Sequence, residues 1–266
     1  MTTLEPTPIL PSLNEIEIWR DLPDNRDEFK PFIGKYQVSS FGDIRSMDRE
    51  VSVCSTKRQN LFGRDGEFEV GEYARQLKGR VLKQGRRGDL SRQEYAFVCL
   101  ANLCAPNGSY NQFSVHRLVA FTFEVDGYDL HLSDPKKYNT VDHFDWNTLN
   151  NYYKNLRFLS HCEQKLHSNG SKNNTTGFKG VSLEKRTGKY VWSFNLNYKT
   201  YSGKSYKTAI DAAIAKDAAL LKLEDNGEVR PNIIVLNFPR EVIRAYGDKQ
   251  LTFNLNENKE QVPNIQ

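Results

Sequence analysis

The sequence predicts an α+β protein assembled from small modules, each of a few short strands with one helix. Two stretches lead to this prediction. Residues 141–167 place two short apolar runs around an Asn-rich loop and end in a helix-forming stretch. Residues 177–223 contain three strand-like runs and then a helix with six alanines, which can lie close on a sheet. A hydrophobic content of 38% favours several modest cores over one large core.

The formal net charge of +4 is small, but the positive charge is concentrated. Residues 75–92 contain seven basic side chains and one acidic side chain. Residues 170–222 contain ten Lys or Arg against three acidic residues, a net of +7. Local basic surfaces of this kind attract polyanions, so we expect nucleic acid as a partner.

The cysteines and apolar runs exclude several classes of protein. The four cysteines are Cys54, Cys99, Cys104 and Cys162, and they include no C-x-x-C pair. We therefore expect neither a zinc ribbon nor a disulfide framework. No apolar run approaches the ~20 residues of a membrane helix, and residues 1–13 do not resemble a signal peptide. We expect no membrane partner and a reducing, cytoplasmic location.

The N-terminal half is predicted to be mainly β-structure. Residues 18–22, with Trp19 among them, and then residues 36–46 predict short strands around a Gly turn. Residues 77–83 and 95–100 predict further strands. The basic, Gly-rich linker between them allows close approach to phosphate, so we expect its Arg86 and Arg87 to contact DNA. Ser114 is a suitable N-cap for a helix that runs from Val115 to about Phe123.

The segment around Asp142 and His143 points to phosphodiester hydrolysis. Both residues lie at the end of an apolar run, where a strand ends. Gln164 and His167 are three residues apart on the predicted helix, so they share a face. Carboxylate and amide oxygens suit a hard divalent cation, and a neutral imidazole can accept a proton from an attacking water.

Two stretches carry a resemblance to a known family: VHRLVAFTF at residues 115–123 and VDHFDWNTLNNYYKNLR at residues 141–157. Together they resemble the HNH endonucleases, and most of all the homing enzymes of phages and introns. The resemblance implies a ββα-metal fold at the centre of the chain, with Mg²⁺ or Mn²⁺ as cofactor. It also implies that Arg117 contacts DNA.

The resemblance implies a role for each motif residue. Asp142 falls on the metal-binding carboxylate, His143 on the general base, and Asn150 and Asn151 on residues that brace the loop. Gln164 falls on the second metal ligand, where the family has Asn or His, and His167 is the rival metal or phosphate contact. Trp146 stands where the family usually has Gly.

Two flanking segments resemble other modules. The N-terminal strands resemble a small module that often precedes HNH domains. Residues 177–239 resemble the APETALA-type DNA-binding domain, which reads DNA with a three-stranded sheet backed by one helix. The DNA-contacting positions implied in this domain are Lys179, Arg186, Lys189, Trp192 and Lys207. The Trp192 side chain fits the core of this domain equally well.

These segments define the expected organisation of the chain. The predicted boundaries are 15–75 for the nuclease-associated module, 76–168 for the nuclease, 169–176 for a linker, 177–239 for the DNA-binding domain and 240–266 for a polar tail. We expect residues 76–168 to have a core of their own.

The resemblances predict a homing-type endonuclease of a phage or mobile element, in the host cytoplasm if phage-encoded, that nicks or cuts a specific double-stranded DNA site. The alternative is a sequence-specific DNA-binding protein with an inactive nuclease centre. An RNA-binding module is disfavoured because no RNP-type aromatic motif occurs. The sequence leaves monomer and homodimer open.

Overall fold

The structure is a computed structural model that describes residues 7–56, 70–88, 94–102, 109–168, 173–247 and 253–256. The chain divides into two compact units. The N-terminal unit comprises residues 9–128 and 147–157, and the C-terminal unit comprises residues 129–146 and everything from residue 158, together with the first eight residues. Part of the predicted linker, residues 169–172, and most of the tail beyond residue 247 lie outside the described residues.

The first sheet of the N-terminal unit has three antiparallel strands, in the order β1 (Trp19–Asp21), β2 (Tyr36–Ser39) and β3 (Ile44–Ser46). The chain turns between β2 and β3 at Gly42, whose φ is +99°. A Cβ at this position would lie 2.7 Å from the Cβ of Asn151, so only glycine fits without movement. The predicted strands around a Gly turn are confirmed.

The rest of the N-terminal unit contains a long hairpin, a second sheet and a helix. The hairpin is β4 (Arg49–Thr56) with β5 (Val70–Leu77), the sheet is β6 (Gly85–Arg87), β7 (Tyr95–Asn102) and β8 (Ser109–Ser114), and the helix is α1 (Val115–Thr122). Helix α1 begins where the sequence predicted. The predicted strand at 77–83 is wrong, because β5 ends at Leu77 and only Val81 makes an isolated bridge beyond it.

The centre of the chain has the predicted order of strand, loop, strand and helix. It consists of α2 (Tyr128–Ser133), β9 (Thr140–His143), β10 (Leu156–Leu159) and α3 (His161–His167), with β9 paired to β10. Ser160 and Glu163 form a reciprocal capping box that starts α3. All four residues of β10 are buried, Arg157 among them.

The last part of the chain is a sheet backed by helices. Its elements are β11 (Val181–Glu184), β12 (Lys189–Leu196), β13 (Lys199–Gly203), α4 (Ala209–Asp225), α5 (Arg240–Gly247) and β14 (Phe253–Asn256). The predicted three strands and helix are confirmed, and β14 from the tail adds a fourth strand beside β13. Thr208 caps α4 by accepting a hydrogen bond from the backbone N–H of Asp211 at 3.1 Å.

The hydrophobic core of this sheet extends into the central segment. Trp192 and the alanine face of α4 lie in one buried cluster, and Leu159 and Leu166 belong to the same cluster. The backbone N–H of Val235 also donates to the carbonyl of Leu166 at 3.4 Å. Leu159 of β10 and Leu166 of α3, which were expected to belong to a core of residues 76–168, therefore pack with the module that follows them.

Among the helices described, none combines the length and the apolar character that crossing a membrane requires.

Candidate catalytic centre

The C-terminal unit brings two of the predicted site residues into direct contact. The Nδ1 atom of His167, at the end of α3, lies 2.9 Å from Oδ2 of Asp142 on β9. Both side chains are buried, with 4% and 11% of their surface exposed. An ionised carboxylate can only accept, so Nδ1 carries the hydrogen and donates it to Asp142. The other ring nitrogen of His167, Nε2, then carries no hydrogen and can accept a hydrogen bond.

Trp146 holds His167 from the other side. Its indole Nε1–H lies 3.0 Å from the carbonyl oxygen of His167 and 3.3 Å from its Nδ1. Because the Nδ1 hydrogen faces Asp142, the carbonyl oxygen is the acceptor. Trp146 has a φ of +60°, in the left-handed region. The backbone therefore has the conformation that glycine favours, and the indole occupies space that glycine would leave empty.

The Asp142 carboxylate and the His167 imidazole, which lie 2.9 Å apart, are both ligand types for a divalent cation. A metal ion bound by both side chains would take the place of the hydrogen on Nδ1. Gln164 lies one helical turn before His167, with its side chain half-buried. Within the described ranges, no group of three or more His, Cys, Asp and Glu side chains gathers in a metal-binding arrangement.

His143 is the last residue of β9 and is only 4% exposed. Its carbonyl accepts a hydrogen bond from the backbone N–H of Trp146 at 3.1 Å, which closes the turn after the strand. The ring of Phe144 lies 6.0 Å from the ring of His167. His143 thus lies on the strand that carries Asp142, and its role as general base stays a prediction.

A cavity of about 340 Å³ borders this centre. Phe144 and His167 form one side, and residues of the segment 232–240 form the other. His167 therefore contacts Asp142 and also borders an open volume within the C-terminal unit.

In the N-terminal unit, asparagine side chains hold the loop that follows Trp146. Asn150 donates from Nδ2 to the carbonyl of Ile9 at 2.9 Å, and Asn151 is 5% exposed beneath Gly42. Asn155 is fully buried and donates from Nδ2 to the carbonyl of Asn150 at 2.8 Å. Asn155 was not predicted as a bracing residue, although it stands in the motif that carries the family resemblance.

Comparison with protein families gives a match in the N-terminal part of the chain. Residues 17–100 match the NUMOD4 motif. This motif is found in N-terminal regions associated with homing endonucleases, so the chain carries a nuclease-associated module. No curated protein and no solved structure matches the chain. The NUMOD4 match indicates a nuclease-related role and DNA as a partner.

The predicted DNA contacts within the NUMOD4 segment are Arg86 and Arg87, and both are exposed on β6. Arg86 lies 3.8 Å from Glu94, and Arg87 donates to the side chain of Gln112 at 3.5 Å. Beyond the NUMOD4 segment, Arg117 on α1 is half-buried, and burial lowers the pKa of its guanidinium.

The predicted DNA contacts of the C-terminal module differ in exposure. Arg186, Lys189 and Lys207 are exposed. Trp192 is 1% exposed and packs in the core, so its predicted DNA contact is wrong: the ring faces α4 and cannot reach solvent. Lys179 is largely withdrawn from solvent and donates from Nζ to the carbonyl of Leu166.

One contact near the centre was missed altogether. Arg230, which follows α4, donates to the Glu163 carboxylate at 2.8 and 3.3 Å and to the carbonyl of Phe158 at 2.8 Å. It therefore joins the capping box of α3 to the C-terminal module. A single arginine in a polar loop gives no sequence signal for a contact 67 residues away.

Proposed function

We propose that the protein is a metal-dependent endonuclease of the HNH type that nicks or cuts double-stranded DNA. The observation that carries the proposal is the buried Asp142–His167 pair, placed where β9 meets α3 in the order strand, loop, strand, helix. The NUMOD4 match at residues 17–100 supports it independently, because that segment lies outside β9 and α3.

In this proposal Asp142 and His167 would hold one Mg²⁺ or Mn²⁺ ion, and Gln164, from the same helix, is the rival to His167 as the second ligand. When bound, the ion polarises the phosphoryl oxygen and stabilises the leaving alkoxide. His143 accepts a proton from the attacking water on its imidazole. Trp146 keeps His167 in place through its carbonyl oxygen.

DNA affinity is assigned mainly to the C-terminal module. Its exposed Arg186, Lys189 and Lys207 lie on or beside the sheet, where they can neutralise phosphates. Binding by such contacts releases counterions, so affinity should fall steeply with salt.

A second candidate is a DNA-binding protein whose nuclease centre is inactive. The observation in its favour is the burial of His143, since a general base must reach the proton of the attacking water. In this case the hydrogen bond between Asp142 and His167 has a structural role only.

Cleavage of supercoiled plasmid, with Mg²⁺ or Mn²⁺ and with chelator, separates the two candidates. The nuclease proposal expects metal-dependent nicking that His143→Ala lowers by ~100- to 10,000-fold, as for loss of a general base. DNA affinity should change little. The control is His161→Ala, which removes an exposed histidine at the start of α3 and should cut like wild type. A wild-type protein that binds DNA and never cuts it supports the inactive-centre candidate.

A further inference from the structure

The C-terminal unit contains a second cavity, of about 440 Å³, away from the cavity that borders His167. Its walls come from the end of α3, the first two strands of the sheet and α4. Three lysines line it: Lys165 from α3, Lys179 before β11 and Lys216 from α4. Asp217, the neighbouring carboxylate, does not line the cavity.

The charge of Lys216 is balanced inside the protein. Its side chain is 2% exposed, and Nζ lies 3.2 Å from Oδ1 of the fully buried Asp217. Asp217 also accepts hydrogen bonds from the backbone N–H groups of Asn237 at 2.6 Å and Phe238 at 3.0 Å. Its Oδ1 accepts a third from the Asn237 amide at 3.0 Å. The carboxylate of Asp217 is therefore committed to Lys216 and to the backbone after α4.

Lys179 is the cation that this arrangement leaves uncompensated. Burial, and then the positive charge of Lys216, lower the pKa of Lys179 to about 7, although Asp217 favours its charged form. Its Nζ donates to a backbone carbonyl, that of Leu166, which solvates the ammonium without neutralising it. An anion in the cavity would face three lysines, and Asp217, the carboxylate beside them, is paired with Lys216 and does not line the cavity.

The remaining lining suits an oxyanion. Hydroxyl and amide groups of Thr175, Ser182, Ser193 and Asn195 border the cavity and can donate hydrogen bonds. The absence of a side chain at Gly180 leaves space for the Lys216 side chain, since a Cβ at position 180 would lie 2.8 Å from the Lys216 Cε. The cavity is many times larger than the ~30 Å³ that one water molecule takes up, so a tetrahedral anion can enter it.

We propose that this cavity binds a phosphate group, with Lys179 and Lys165 as the main cationic contacts. Two sources share this chemistry: a phosphodiester of bound DNA, or a free phosphate. The first source, a DNA phosphodiester, rests on the proposed function. Binding it in this cavity would hold the DNA backbone against α3, the helix that also carries Gln164 and His167. The free-phosphate source is independent of any nuclease activity.

Thermal unfolding of the full-length protein tests the site without DNA. Sodium phosphate should raise the Tm above that in sodium chloride of equal ionic strength, because a ligand of the folded state stabilises it. Lys179→Met should abolish this difference, and the control Lys185→Met, in the exposed turn after β11, should keep it. No difference in the wild type, or a full difference in Lys179→Met, would overturn the proposal.

Binding of duplex DNA at several salt concentrations then identifies the source. If a DNA phosphate occupies the site, Lys179→Met should reduce the slope of log K against log salt by about 0.9, the share of one phosphate. If Lys179→Met loses the phosphate effect on Tm but keeps the salt slope, the ligand is free phosphate. Neither measurement depends on DNA cleavage, so the phosphate site can be tested even if the protein never cuts DNA.

Discussion

The indole N–H of Trp146 donates to the carbonyl oxygen of His167 at 3.0 Å, across 21 residues of sequence. The acceptor is one of the last carbonyls of α3, which have no partner within the helix. The bond therefore satisfies the helix end and fixes the residue whose imidazole meets Asp142. It also accounts for a bulky side chain at a left-handed backbone position.

Trp146→Phe should loosen His167 while keeping the ring and the backbone conformation. Loss of one hydrogen bond should cost about 1 kcal/mol in the free energy of unfolding. In the proposed nuclease the metal concentration for half-maximal cleavage should rise. The same change at Trp19, in the N-terminal unit, is the control and should leave metal dependence unaltered. A Trp146→Phe protein with wild-type stability and an unshifted metal titration contradicts this role.

The choice between His167 and Gln164 as second ligand can be decided by metal titration. We expect His167→Ala to raise the required Mg²⁺ concentration by more than Gln164→Ala does, because the Nδ1 of His167 already lies 2.9 Å from Asp142. Wild type should be relatively more active with Mn²⁺, which imidazole binds better than it binds Mg²⁺. A larger effect of Gln164→Ala would make Gln164 the ligand, as the family resemblance implies.

Local patterns predicted the elements of this centre, and long-range contacts decided its geometry. The apolar run before Asp142 and the N-cap residue Ser114 are short-range signals, and the structure has a strand and a helix there. The sequence left open on which face of the sheet Trp192 lies. Alternation along a strand assigns side chains to two faces, but it does not identify the face that packs against α4. The Arg230–Glu163 contact depends on how α4 packs, which no local pattern encodes.

Arg230→Met should destabilise the protein by about 2 kcal/mol, because it leaves a buried carboxylate without its charged partner. Burial alone would raise the pKa of Glu163, but hydrogen bonds from Arg230 and the Ser160 N–H outweigh it and lower the pKa below 4.5. The stabilisation is therefore present above pH 4.5 and is lost as the pH falls through the folded-state value.

Chemical denaturation between pH 3 and pH 7 measures both effects of Arg230→Met. The acid dependence should be weaker in the variant than in wild type. Arg244→Met removes an exposed pair, in which Arg244 lies 3.1 Å from Asp225, and should change stability by less than ~0.5 kcal/mol. Equal losses in the two variants would contradict a special role for Arg230.

The stability of wild type should rise with pH above about 7 through Lys179, whose pKa is lowered to about 7 from 10.5. Between these values the unfolded chain binds more protons than the folded protein, so raising the pH favours folding. The charged groups around Lys179 are Lys165 on α3 and Lys216 and Asp217 on α4. Denaturation from pH 7 to pH 9 should show a smaller slope in Lys179→Met and an unchanged slope in Lys185→Met. An unchanged slope in Lys179→Met would show that Lys179 is not the titrating group.

Deletion of residues 170–266 should prevent cooperative folding of the central segment. The deletion would uncover Leu159 and Leu166, which are 0% and 5% exposed in the intact chain, and remove Arg230 from Glu163. We expect binding of a hydrophobic dye and a broad thermal transition. A sharp, single transition in the truncated protein would show that residues before the linker are stable alone.

The Arg230–Glu163 bond has a consequence for exchange of this module between proteins. A recombination crossover in the 169–176 linker would bring in a new C-terminal module and remove the cation that neutralises Glu163. The hybrid would inherit a carboxylate buried at the first turn of the helix that carries Gln164 and His167. An incoming module without an arginine at the same place would lower the stability of the hybrid by about 2 kcal/mol, unless the host had already replaced Glu163. The bond therefore restricts which partners this central segment can acquire by gene shuffling.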